Sequence, residues 1–221
     1  MRFHVITLFP GAFGSYLGES ILKRAIEDKK ISVAFYNPRD FAAGTRGRAV
    51  RVDKRPYGGG PGMVIEALPV IKAIEKALAT IQKKSKKPKV KIIWLSPGGM
   101  QFDTGVAETV AKKYTDIIIV SGRYEGIDAR VKKIFKCDIV SVGPFVLTGG
   151  ELPAMLIIDC ISRQVAGVLG DPTSVEERRV ASRDAYTRPE VFEYKGKKYR
   201  VPKVLLSGNH ATINTWKRSQ K

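Results

Sequence analysis

The chain has 221 residues, with 39 Lys+Arg against 21 Asp+Glu for a formal net charge of +18, and 43% apolar and 27% charged residues. Such a composition supports one or two folded domains and excludes a collagen, a coiled coil and a wholly disordered chain, while the positive excess favours a polyanionic partner such as nucleic acid. No apolar run approaches the roughly 18 residues of a membrane span, and no signal-peptide core follows Met1, which predicts a cytoplasmic protein without membrane association.

In chain order, residues 3–7 and 31–35 are short apolar runs with β-branched members and predict buried strands. The run Arg55-Pro56-Tyr57-Gly58-Gly59-Gly60-Pro61-Gly62-Met63 comes next. It lacks the Lys-Ser/Thr ending of a P-loop and the spacing of a dinucleotide fingerprint, so triphosphate binding is disfavoured. Its glycines permit either a tight surface turn or close approach to a flat ligand, with Tyr57 stacking and Arg55 meeting phosphate. Leu68, Ile71, Ile74, Leu78 and Ile81 recur at steps of three or four and predict one apolar helix face. The lysine-rich run at 83–89 reads equally as a solvated loop or an RNA contact.

Residues 91–95, 116–121 and 138–142 predict three further strands, and 105–114, 127–135 and 152–166 predict helices. This alternation implies an α/β fold with a mainly parallel sheet and helices on both faces. In such sheets ligands sit beyond the carboxyl ends of the strands. Three glycine-bearing loops occupy those positions, at 96–99, 121–126 and 143–150. The second reads either as a plain strand-helix turn or as a place where backbone N–H groups meet an adenosine-sized ligand. Residues 101–150 are near neutral, with 7 basic against 6 acidic side chains, whereas 51–100 hold 11 against 3. That contrast fits a small-molecule pocket flanked by polyanion-binding surface. Asp159 and Arg163, four residues apart, suit either an arginine held near a cleft to stabilise negative charge or an ordinary surface ion pair.

The organisation predicted is a domain at 1–166, a linker at 167–188, and a tail at 189–221 too short for a core of its own. The tail holds a hairpin or loop at 191–201 and Asn209 as the N-cap of a last helix. Two cysteines without C-x-x-C spacing, and two histidines outside any cluster, predict neither a disulfide framework nor a structural metal site.

Taken together the motifs closely resemble the bacterial tRNA (guanine-N1)-methyltransferases of the knotted SPOUT superfamily. The match runs through Thr7-Leu8-Phe9-Pro10, Pro38-Arg39-Asp40-Phe41, the glycine run at 55–63, Leu95-Ser96-Pro97, residues 122–128, 149–155 and 167–170, Tyr186-Thr187-Arg188-Pro189-Glu190, and 204–210. The resemblance implies a homodimer whose trefoil-knotted domain holds S-adenosylmethionine and which acts on tRNA, not DNA. The reaction it implies is methylation of N1 of the guanosine immediately 3′ of the anticodon. By position, cofactor contacts fall on Leu95, Ser96, Pro97, Gly122, Tyr124, Glu125, Val142, Gly143, Pro144, Phe145, Val146, Leu147, Gly149, Gly150 and Pro153. Phe145 stands where the family usually has tyrosine and Pro144 where it often has aspartate, which leaves backbone contacts as the expectation there. Substrate contacts fall on Asp53, Arg55, Tyr57, Gly58, Gly59, Arg188, Ser207, Asn209 and His210.

Guanine N1 carries a proton and becomes nucleophilic only as that proton leaves, so the reaction needs a general base. Negative charge then builds on O6, where an arginine or a Mg²⁺ ion stabilises it. Arg163 matches the family arginine in this role. The family's catalytic aspartate falls on Arg178, a side chain that cannot serve as a base. Glu177, one position away, and Asp184 are the replacement candidates. Arg178 also keeps open a non-catalytic tRNA-binding protein, and other knotted enzymes suggest a different RNA nucleotide as target. The matches at 55–63 and 186–190 favour guanine N1. Against the family the C-terminal tRNA-gripping region is expected to be truncated, with positive charge at 46–55 and 83–91 compensating.

Overall fold

The computed structural model describes residues 1–42, 51–170 and 184–219. In chain order the elements are β1 (Arg2–Ile6), α1 (Gly14–Leu17), α2 (Ser20–Glu27), β2 (Ser32–Tyr36), β3 (Asp53–Lys54), β4 (Val64–Ile65), α3 (Ala67–Lys84), β5 (Val90–Gln101), α4 (Thr104–Lys113), β6 (Asp116–Val120), α5 (Arg130–Ile134), β7 (Asp138–Ser141), α6 (Glu151–Arg163), β8 (Val191–Tyr194), β9 (Lys197–Arg200), α7 (Lys203–Leu206) and α8 (His210–Ser219). The main sheet has the order β2-β1-β6-β5-β7 and every pairing in it is parallel. The chain is thus an α/β protein of the class its sequence predicts.

Strand β6 explains the layering. Its Asp-Ile-Ile-Ile-Val run is buried at every position, as a central parallel strand covered on both faces must be. Alternate residues feed two cores. Phe3, Val5, Ile117 and Ile119 join Val110 of α4 and Ile157 and Ile161 of α6, while Ile6, Ile118, Val120 and Trp94 join Val70, Ile74 and Ile81 of α3. The apolar stripe predicted for α3 holds at Ile74 and Ile81, which are fully buried, and at Ile71 and Leu78, which pack against the same core, and departs at its first position. Leu68 is 58% exposed, and Val70, Ala73 and Ala77 take further inward positions, because small side chains let the helix lie close to the sheet.

Strand β5 also runs further than its apolar segment. Both Leu95 and Met100 align with Val140 of β7, so residues between them bulge out of the ladder and the strand resumes afterwards. The loop predicted at 96–99 is this bulge.

The chain divides into Met1–Val168 and Leu169–Lys221. Val168 packs into the first unit's core. In the second unit β8 and β9 form an antiparallel hairpin turned by Lys195 and Gly196, both at positive φ. Asn209 Oδ1 accepts from the backbone N–H groups of Ala211 and Thr212 and caps α8. The rings of Tyr186 and Trp216 lie 6.3 Å apart. Among the described residues no helix is long and apolar enough to cross a membrane.

Candidate functional site

Parallel strands direct the β5 bulge, the loop after β6 and the loop after β7 to one edge, where α6 begins. The latter two loops are stitched together. Gly150 N–H donates to Gly122 O at 2.8 Å, and Arg123 bridges Gly149. A Cβ on Gly150 would lie 2.8 Å from Ser121 Cα and 3.0 Å from Gly122 N, both backbone atoms that cannot step aside. Only glycine lets these loops meet.

Between them opens a cavity of about 370 Å³, within the range of small-molecule sites. Of the predicted cofactor contacts, Leu95, Ser96 and Pro97 line it from the bulge, Gly122, Tyr124 and Glu125 from the second loop, and Val142, Phe145, Val146, Leu147, Gly149, Gly150 and Pro153 from the third loop and α6. Gly143 and Pro144 lie outside the lining. Gly143 is buried in a turn held by Ser141, whose Oγ donates to Gly143 O at 2.9 Å, and Pro144 is exposed. A cavity of this size, with apolar side chains and glycine backbone in its walls, fits a nucleoside-like ligand.

Sequence reasoning missed Trp94, Arg123 and Lys132, which also line the cavity. Lys132 Nζ sits 5.4 Å from the Trp94 ring centroid. Arg123 is fixed from three sides. Its Nε donates to Glu151 Oε2 at 2.8 Å, a second nitrogen donates to Thr148 O at 3.3 Å, and its guanidinium lies 4.6 Å over the Phe9 ring. Glu151, buried in the first turn of α6, also accepts from Thr7 Oγ1 at 2.8 Å. One carboxylate therefore ties the loop after β1 to the loop after β6, in the helix N-terminal position that favours negative charge. An acidic residue directly after Gly149-Gly150 was the available signal.

The glycine run borders the same cavity. Gly62, at φ +83°, lies so close to Glu125 that a Cβ there would meet Oε1 at 2.5 Å. Glu125 N–H donates to Met63 O at 3.0 Å, and Ile65 N–H to Gly126 O at 3.0 Å. Beyond this seam Arg55 and Tyr57 are exposed, and Gly58 and Gly59 stand open at positive φ. Asp53 pairs with Arg51 at 3.0 Å. Beside them Arg130 hydrogen-bonds Asp128 and holds its carboxyl below the usual carboxylate range.

At the opposite end of the sheet lies a second ionisable cluster. Asp116, fully buried, accepts from Arg2 Nε and a second Arg2 nitrogen at 2.6 and 2.7 Å and from Thr115 Oγ1 at 2.7 Å. Its Oδ1 also lies 3.3 Å from His4 Nε2, and His4 Nδ1 lies 3.0 Å from Tyr36 Oη. A neutral His4 that donates from Nε2 and accepts at Nδ1 satisfies both contacts. Burial holds the His4 pKa below its ordinary value, against the raising effect of Asp116. No group of three or more potential metal-binding side chains occurs among the described residues.

A family model described as tRNA (Guanine-1)-methyltransferase TrmD matches residues 1–221. Proteins named tRNA (guanine-N(1)-)-methyltransferase are similar throughout. That of Geobacter sulfurreducens is 44% identical over 100% of this chain and 86% of its own length, and that of Clostridioides difficile 42% over 100% and 92%. The corresponding Thermomicrobium roseum protein is 44% identical over 99% of this chain and 78% of its own. The chain belongs to this methyltransferase family.

The residues expected to carry the family's chemistry are less concentrated than those around the cavity. Arg163 ends α6, the helix whose first turn lines the cavity, and does not itself line it. Asp159 accepts a hydrogen bond from Tyr16 Oη of α1, and this bond pushes the Tyr16 phenol pKa up. Asp184 is exposed in the second unit, and Glu177 and Arg178 lie outside the described residues. Arg188 and His210 are exposed. Ser207 and Asn209 serve the α7–α8 turn, where Ser207 Oγ donates to Val204 O at 2.8 Å and Asn209 caps α8.

Proposed function

We propose that this chain transfers a methyl group from S-adenosylmethionine to N1 of the guanosine immediately 3′ of the anticodon in tRNA, and works as a homodimer. The observation that carries the reading is the glycine-stitched cavity at the sheet's carboxyl edge, in a chain of this family, bordered by an exposed glycine run that bears Arg55 and Tyr57.

Leu95, Leu147 and Pro153 suit the faces of an adenine, and the backbone groups of the second and third loops suit its edge and ribose. When bound, the donor supplies an electrophilic methyl group. The protein's part is to present guanine N1, to receive its proton, and to stabilise charge at O6. Glu177 or Asp184 is the base in this reading and Arg163 the stabiliser of O6.

The position of Arg163 supports the dimer. The 13 residues of α6 span roughly 20 Å, so an arginine at the far end is remote from its own chain's cavity. Leu152 and Leu156 are 59% and 45% exposed, and share a face of α6 with Asp159 and Arg163. Such a stripe suits an isologous contact in which each copy brings its Arg163 to the other's cavity.

The test is incubation with S-adenosylmethionine and tRNA transcripts bearing G or A beside the anticodon, with the methyl group then mapped. Transfer to N1 of the G transcript alone is expected. Tight tRNA binding without transfer would instead favour a protein that binds tRNA without modifying it. Replacement of Glu177 and Asp184 singly by Ala identifies the base as the change that slows the chemical step.

A further inference from the structure

The β8–β9 hairpin carries a surface that neither the core nor the cavity uses. Its register pairs Phe192 with Tyr199 and Tyr194 with Lys197, and strand alternation puts these four on one face. Phe192, Tyr194 and Tyr199 are 55%, 58% and 42% exposed. Phe192 and Tyr199 stack with centroids 5.2 Å apart and planes 15° from parallel. Lys195 Nζ lies 5.4 Å from the Tyr194 ring and Lys197 Nζ 5.7 Å from the Tyr199 ring.

An exposed aromatic face on a two-stranded hairpin is a liability unless something covers it. The hairpin's charge says what does. Lys195, Lys197, Lys198, Arg200 and Lys203 surround it, against Glu190 and Glu193 alone. Protein-binding faces are depleted in lysine, whereas aromatic rings interleaved with ammonium groups match the alternation of base and phosphate in a single strand.

We propose that this hairpin is a stacking platform for unpaired nucleotides of the RNA substrate, with bases on the aromatic face and phosphates on Lys195 and Lys197. The proposal rests on the tRNA reading above and deepens it.

The test uses the full chain and the double change Phe192→Leu with Tyr199→Leu, which keeps an apolar cross-strand pair and removes the rings. Affinity for tRNA, and for a short unstructured RNA oligonucleotide, is expected to fall about tenfold or more. The melting temperature and the affinity for S-adenosylmethionine stay at parental values, and Phe192→Tyr binds RNA like the parent. Lys195→Gln with Lys197→Gln is expected to reduce the slope of log affinity against log salt by about one for each phosphate that is no longer neutralised. Parental RNA affinity in the leucine variant overturns the proposal. So does a variant that loses self-association while binding RNA normally, since the face then serves a chain-to-chain contact. Should the parent methylate no tRNA but still bind the oligonucleotide through Phe192 and Tyr199, the proposed reaction fails and the platform stands.

Discussion

The two ends of the central sheet solve opposite problems with the same five strands. At the amino end, Asp116 is fully buried and spends its oxygens on Arg2, Thr115 and His4, all groups of the chain itself. At the carboxyl end the loops meet through glycine backbone and leave a cavity of about 370 Å³. The first end ties strands together through buried side-chain bonds, and the second encloses space bounded by glycine-bearing loops. An ion cluster satisfied within the chain thus contributes stability, whereas close approach without side chains creates a site.

The contrast is broken most severely at Asp116. Asp116→Ala leaves Arg2 and His4 without their shared acceptor, and is expected to cost about 3 kcal/mol of stability in denaturant unfolding. Affinity for the methyl donor, measured where the variant remains folded, should not change. Gly150→Ala acts in the other direction. The added methyl group pushes Ser121 and Gly122 apart, and a loss of roughly 2 kcal/mol in donor affinity by calorimetry is expected, larger than the accompanying loss of stability. If both changes lower stability and donor affinity in equal proportion, the two ends are not separate devices.

Glu151→Gln tests the tie between the loops. The amide keeps the shape but loses the charge that Arg123 meets, so Arg123 is held less firmly beside Phe9. A cost of about 1 kcal/mol is expected, read as a raised KM for the donor with little change in melting temperature.

Most of this frame is legible in the sequence, because the central strands are short, mainly apolar runs and the loops after β6 and β7 follow theirs directly. The α3 stripe departs from its predicted course only at Leu68, and Ala73 and Ala77, which apolar periodicity passes over as small residues, take inward positions beside Ile74 and Ile81. The β5 bulge reads in sequence as the end of a strand, since nothing in Ser96-Pro97-Gly98-Gly99 tells that Met100 resumes pairing with the residue Leu95 already meets. Arg123 and Glu151 do not stand out as a pair because they are 28 positions apart and are joined only by the fold. The His4–Asp116 contact spans 112 positions, and two isolated histidines give no hint of it.

The amino end also titrates. Burial lowers the His4 pKa, and hydrogen bonds from Arg2, Thr115 and His4 hold that of Asp116 below the usual range against the opposing effect of burial. Both groups bind protons more readily when unfolded. The stability from His4 is therefore complete above its unfolded pKa of about 6.5 and declines as pH falls toward the lower folded value. Asp116 adds a further decline below about pH 4, again from its unfolded value. Melting temperature measured across this range should fall in two stages, and His4→Gln should remove the upper one.

The smallest effect concerns the lysine run, which the fold assigns to the amino end. Lys89 O accepts from the backbone of Thr115 and Asp116, and β5 then runs toward the cavity, so the run lies roughly 20 Å from Leu95. Lys91 is already paired with Asp138 and sits over Tyr114, which removes it from the set available to RNA. Lys86 and Lys87 are exposed and remain in that set. A tRNA is large enough to reach past the cavity to them, and each phosphate they neutralise contributes about 0.9 to the salt dependence. Lys86→Gln with Lys87→Gln should therefore lower the slope of log affinity against log salt by one to about two, with kcat and donor affinity unchanged. An unaltered slope would place the RNA contacts wholly at the carboxyl end and on the hairpin, and would make the contrast between the two ends sharper.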